Sequence, residues 1–155
     1  MQLADLLKKE LVNADIKART KKAVLAELVD IIIQSGIKLD QEAVVQVLLQ
    51  REKLGSTGIG QGIAIPHGKI NNINDLIVAF GRSHEGVDFE SMDGKPAHIF
   101  FLLLAPENSA GKHLKALAKI SKMLKMDNFR KALLEAKSQD DLYKLIIDQD
   151  DACIV

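Results

Sequence analysis

Apolar residues recur along this chain in two rhythms, a helical spacing near 3.6 and short unbroken runs, and the two alternate from one end to the other. From Lys21 to Ser35, the residues Val24, Leu25, Leu28, Ile31 and Ile32 fall at helical spacing, with Thr20 placed to cap the start and Gly36 to stop the run. Asp40 is placed to cap a second helix through about Leu54. Leu76 to Phe80 and Ile99 to Leu104 are continuous apolar runs suited to central strands covered on both faces. Between them EGVDFESMDGKP is rich in turn formers. A further helix is predicted from near Ser109 or Ala110, with Leu114, Leu117, Ile120 and Leu124 on its buried stripe. Shorter helices are predicted near Asn128 to Ala136 and Gln139 to Asp148, the last opening on a capping-box-like pairing of Ser138 with Asp141. No repeat, low-complexity stretch or Pro/Ser-rich linker interrupts the series, so the order predicts a single α/β domain over residues 1–155, a mixed β-sheet sandwiched between helical layers.

Composition narrows what such a domain does. The chain has 155 residues, 47% of them hydrophobic, enough to bury one ordinary core without a covalent staple. Its 21 basic and 21 acidic side chains cancel, so no global field draws nucleic acid or an anionic membrane, and any phosphate recognition must be local. The longest apolar run, Ile99 to Ala105, is far too short to cross a bilayer, and the opening MQLADLLKKELV is amphipathic rather than signal-like. A cytoplasmic protein without direct membrane insertion is expected. Cys153 is a lone thiol near the C-terminus, has no internal disulfide partner and is assigned no function.

Candidate chemistry concentrates in Gly55 to Gly68, GSTGIGQGIAIPHG, which holds five of the ten glycines. Glycines relieve the steric limits on the backbone and allow a ligand or partner to approach closely. Gly62 to Ile65 has the character of a short strand, and Pro66 keeps Ile65 extended while offering no ladder donor. The strand is expected to stop there, with His67 projecting from its end into a loop. An isolated P-H-G tripeptide reads as a loop histidine on a turn. Here, however, Arg51 ends the preceding helical pattern, Ser56 and Thr57 add hydroxyls, and His113 lies in a different element, which together suggest an anion site. An unperturbed imidazole, with a pKa of about 6.5, is roughly three-quarters neutral at pH 7 and is then a competent nucleophile. A guanidinium and hydroxyl donors can stabilise a phosphoryl group in transfer.

The stretch RE-x-LGSTGIG-x-GIAIPHG from Arg51 to Gly68, followed by LLLAPE-x-SAG-x-HL-x-ALA-x-IS from Leu102 to Ser121, resembles an enzyme IIA component of the bacterial phosphoenolpyruvate-dependent phosphotransferase system. The likeness is to the nitrogen-regulatory type, related to the fructose and mannitol IIA domains, and covers nearly the whole chain. It implies that His67 accepts a phosphoryl group from a phosphohistidine on an HPr-like donor protein, with Nε2 the attacking atom. It places the second active-site histidine at His113 and the active-site arginine at Arg51. His113 is then expected to orient the phosphoryl oxygens, Arg51 to offset their charge or brace the loop, and Thr57 and Ser56 to donate hydrogen bonds. No cofactor is implied, because the donor brings an activated group. The wording of both motifs and the want of an accompanying IIB or IIC segment point to a regulatory output, through a sensor kinase or transporter; sugar uptake through a separate IIB protein is the alternative, and a binding-only regulator with a vestigial His67 a third reading.

Other signals are weaker. GxGxxG fails at Ile63, and no GxxxxGK[ST] occurs, which argues against a nucleotide fold. A zinc site at His67 and His113 lacks an indicated third ligand. His84, in a turn-rich segment, and His98, at a strand start, read as structural or solvent-facing.

Overall fold

A computed structural model describes residues 2–152, so Cys153 lies outside the described residues. Two short 3-10 turns, Leu3–Asp5 and Lys9–Leu11, take up the amphipathic start and lead into a brief strand β1, Val12–Asn13. Helix α1, Lys21–Gln34, begins where the Thr20 side chain accepts from Ala23 N, and Gly36 at φ +107° turns the chain out of it. Helix α2, Gln41–Glu52, begins where Asp40 accepts from Ala43 N. Each such cap satisfies an otherwise orphaned helix N–H, typically worth about 1 kcal/mol.

Three short strands follow: β2, Gly58–Gly60; β3, Ile63–Ala64; and β4, His67–Ile70. Strands β5, Ile77–Val87, and β6, Ala97–Pro106, then form the long antiparallel pair at the centre. The chain closes with α3, Ala110–Leu124, α4, Asp127–Glu135, and α5, Gln139–Ala152. The sheet order is β1-β5-β6-β3-β2, and β4 also pairs with β6. β1 runs parallel to β5, and β3 and β4 run parallel to β6, so the sheet is mixed. Ser138 Oγ accepts from Asp141 N at 3.1 Å and opens α5 at the expected place.

Successive residues of β5 show how both faces are covered. A Cβ on Gly81 would meet Ile16 and Leu28 of α1 at 2.8–2.9 Å, so only glycine lets α1 lie this close. The next residue, Arg82, points the other way, to the C-terminal end of α4. Phe80 and Phe101, opposite each other in the central pair, meet edge to face at 5.0 Å, and Phe89, just after β5, meets Phe100 at 5.7 Å, so the rings knit the central strands together.

Two expectations need correction. The run Leu76–Phe80 is the start of a strand that continues to Val87, because Arg82 and Ser83 are also buried and hydrogen-bonded within the sheet region. In α3, Ile120 and Leu124 are buried and Leu117 packs against the core as expected, but Leu114 is 66% exposed, and His113, Ala116, Lys119 and Met123 complete the buried stripe. The helix is rotated from the purely apolar reading so that a histidine and an alanine face the sheet.

Arg82 is the least expected core residue, 2% exposed. It donates to the carbonyls of Ala14 (2.9 Å), Leu133 (3.0 Å) and Ala136, and so joins the β1–α1 connection to the last turn of α4, where a positive charge meets the helix dipole favourably. Arg82→Met leaves those carbonyls without their donor and is expected to cost about 2–4 kcal/mol in urea unfolding. A loss below about 1 kcal/mol would mean that water replaces the guanidinium.

Candidate active site

The position of His67 is dictated by β6. Ile63 and Ala64 pair with Ile99 and Phe100, and after the break at Pro66 the pairing resumes in the same register, His67 opposite Leu103 and Ile70 opposite Pro106. Pro66 cannot donate, but its carbonyl still accepts from Leu103 N at 3.0 Å. His67 is therefore the first residue of β4 and not a loop tip. The sequence reading placed the interruption correctly but missed its repair, since β6 is long enough to template both pieces.

The break also sets the ring. His67 Nδ1 lies 2.8 Å from the carbonyl oxygen of Ile65. A carbonyl only accepts, so Nδ1 carries the proton and the neutral ring keeps its lone pair on Nε2. Gly68, the next residue, faces α2; a Cβ there would lie 3.1 Å from Val47 and 3.5 Å from Leu48, so glycine seats the helix directly on the strand that carries His67.

His113, one turn into α3, brings its ring centroid to 5.5 Å from that of His67 at an interplanar angle of 75°. It is 7% exposed, and its Nε2 is buried with no hydrogen-bond partner. Such an atom is costly to leave unpaired in a core and is well suited to receive a ligand atom. The other two histidines are elsewhere: His84 is exposed, and His98, near the opposite end of β6 from Leu103, bonds through Nδ1 to Ser83 O at 2.8 Å.

Arg51, in the last turn of α2, donates from Nη1 to Gly55 O at 3.0 Å and so holds the mouth of the glycine-rich loop, while its charge reaches His67. Ser56 Oγ accepts from Gly58 N at 3.1 Å, which leaves its proton available. Thr57 differs from expectation. It is buried, and both its N–H (3.0 Å) and its hydroxyl donate to the Glu52 carboxylate, so its donors are committed to the loop. Glu52 in turn pairs with Lys21 at 3.2 Å. Glu52 adjoins Arg51 in the motif, but nothing in the sequence assigns it the hold on Thr57 or marks a lysine at the start of α1 as its partner.

The electrostatics favour neutral imidazoles. Burial pulls the His67 pKa below its ordinary 6.5; the bond to Ile65 opposes that, Arg51 adds to it and Glu52 opposes it. Burial also lowers His113, with smaller contributions from His67 and Lys69. Among the described residues, no group of three or more His, Cys, Asp or Glu is placed to hold a metal ion.

Comparison with known proteins places the chain in a family. The family model for the phosphoenolpyruvate-dependent sugar phosphotransferase system, EIIA 2, matches residues 5–149. The chain belongs to this EIIA family. It is 41% identical over 150 residues to the fructose-specific EIIABC component of Bacillus subtilis, covering 97% of this chain but only 24% of that protein. It is 40% identical to the nitrogen regulatory protein of Bradyrhizobium diazoefficiens, over 94% of this chain and 95% of that one. Among solved structures, the nitrogen regulatory protein IIA-Ntr of Neisseria meningitidis superposes with a TM-score of 0.85 at 34% identity, covering 93% of this chain and 98% of that one. These matches agree with the α/β architecture of this EIIA chain, in which no helix of the described residues is long and apolar enough to cross a membrane.

Because both imidazoles titrate below their ordinary 6.5, the unfolded chain binds protons that the folded chain refuses as the pH falls through that value. Stability is therefore unaffected by these groups above about pH 6.5 and declines below it. His113→Gln removes one of them and is expected to flatten the stability profile between about pH 5 and 6.5, as read by urea unfolding across that range. An unchanged slope would show that His113 titrates alike in both states.

Proposed function

We propose that this EIIA chain is a phosphocarrier in which His67 accepts the phosphoryl group of a phosphohistidine on an HPr-like donor protein. The observation that carries the reading is the Nδ1 bond to Ile65 O, which leaves the Nε2 lone pair free beside His113. Nε2 attacks phosphorus, the donor's N–P bond breaks, and its electron pair returns to the donor imidazole. The Nδ1 proton stays on His67, still shared with the carbonyl. His113 supplies a hydrogen bond from its otherwise unpartnered Nε2 to a phosphoryl oxygen, on the tautomer protonated at that atom. Arg51 contributes positive charge, and Ser56 is the better placed of the two hydroxyls because its proton is uncommitted. Thr57 acts by holding the loop. The carrier mainly positions a group that arrives activated.

His67→Ala is expected to abolish acid-labile phosphorylation while the chain stays folded, checked by intact mass after incubation with the donor system and by thermal melting. Stoichiometric labelling of that variant refutes the assignment. His113→Ala keeps the nucleophile and slows transfer by about ten- to a thousandfold. Equal forward and reverse rates in the wild type and this variant would demote His113 to scaffold.

For the output, we propose that the phosphorylation state itself is the signal, read by a regulatory partner such as a sensor kinase or transporter. Two observations support this: the likeness to nitrogen regulatory proteins along nearly their whole length, and the exposed Leu54 and Leu114, at 85% and 66%, which adjoin the loop and His113 in sequence and suit an apolar contact that a phosphoryl dianion disrupts. The second reading is a sugar-uptake component donating to a IIB protein, favoured by the identity with the fructose-specific protein. Pull-downs with unphosphorylated protein, phosphorylated protein and a His67→Asp mimic are expected to yield a partner that distinguishes the first two. No discrimination, together with efficient sugar phosphorylation through purified IIB and IIC proteins, would establish the second reading instead.

A further inference from the structure

Glu52 presents a conflict between shape and charge. Its carboxylate holds Thr57 by two hydrogen bonds and so fixes the entry to the glycine-rich loop. Its side chain is only 3% exposed, and its charge reaches His67, where the proposed function brings in a phosphoryl dianion. A buried carboxylate there helps the loop and repels the substrate.

Lys21 resolves the conflict. It is the first residue of α1, and its ammonium lies 3.2 Å from Glu52 Oε1 with the side chain 12% exposed. The Phe89 ring, 5.0 Å from Nζ, covers it from the core side, and Glu90 makes a longer contact at 3.9 Å from solvent. A lysine so enclosed is held against Glu52 and not left to wander over the surface.

We propose that Lys21 is an electrostatic positioning residue of the phosphoryl-acceptor site: its ion pair with Glu52 lets that carboxylate hold the Thr57 loop without presenting an unneutralised negative charge to the group arriving at His67. The proposal rests on the acceptor reading above. It assigns Lys21 no contact with the phosphoryl group. The other charged or titratable groups acting on the imidazole pair are Arg51 of α2, Lys69 of β4 and the two histidines themselves.

The test compares Lys21→Met with the double variant Lys21→Met/Glu52→Gln in the full chain. Glutamine keeps an oxygen for Thr57 N–H and an amide that donates to the Thr57 hydroxyl, so it preserves the shape and removes the charge. Two quantities are read: the initial rate of transfer from an HPr-like carrier protein charged with radiolabelled phosphoenolpyruvate, and the titration of the His67 imidazole by NMR, which needs no donor. Lys21→Met is expected to slow transfer tenfold or more and to raise the His67 titration, because an unpaired carboxylate favours the imidazolium. The double variant is expected to recover most of the rate and to bring the titration back down. Lys21→Gln, whose amide still donates to Glu52, carries the same comparison should the methionine variant not fold. Wild-type rate and titration in the single variant overturn the proposal, as does a double variant no faster than the single one. Failure of the acceptor reading looks different: the wild type takes no label, or His67→Ala takes as much as the wild type.

Discussion

The carbonyl oxygen of Ile65 has no proton to give, and much of the site follows from that fact. By accepting from His67 Nδ1 it orients the ring, selects the tautomer and leaves the lone pair on Nε2. Pro66 interrupts the strand beside this carbonyl, and the interruption does not spread because β6 pairs with the chain in one register on both sides of it. A long buried strand thus serves as a ruler against which a deliberate break is held in place. Helix α2 is keyed to the same ruler, lying against β4 with its closest approach at Gly68, and so fixes Arg51 and Glu52 relative to His67.

Charge is arranged around this ring by compensation. Two neutral imidazoles meet edge to face within electrostatic reach of the Arg51 guanidinium and of the Glu52 carboxylate, which is paired with Lys21. Burial does more than any single neighbour to keep the histidines unprotonated, because removing water disfavours the imidazolium directly. Two unlike devices hold the glycine-rich loop: Arg51 from its carbonyl side at Gly55, and Glu52 from its N–H side at Thr57. Consecutive residues at the end of one helix thereby grip the two kinds of backbone group that a loop exposes.

Much of this was legible in the sequence where local chemistry decides the outcome. The caps at Thr20, Asp40 and Ser138 and the apolar runs of the central strands follow from side-chain type and spacing, whereas the pairing of His67 with His113 was expected only from the resemblance to the enzyme IIA family. What was not legible depends on partners far along the chain. The extension of β5 past Phe80 requires carbonyls from Ala14, Leu133 and Ala136 to make Arg82 tolerable in the core. The rotation of α3 that exposes Leu114 requires the sheet to receive His113, a preference that no hydropathy pattern records. The pairing of Lys21 with Glu52, which lets Glu52 hold Thr57, has no periodic signal because 31 positions of sequence separate Lys21 from Glu52.

The hydrogen bond at Nδ1 also bears on the direction of group transfer. If Nε2 becomes phosphorylated while Nδ1 keeps its proton, the group is carried on a ring that departs as a neutral imidazole, with no need to acquire a proton at the moment of release. In the proposed transfer the Ile65 carbonyl would hold that proton during both loading and unloading, so the two would pass through the same protonation state. Under the proposed carrier role, flow through the chain would be set by how full the donor pool is and how quickly the next protein drains the label, so the fraction of His67 phosphorylated would act as a gauge of supply against demand.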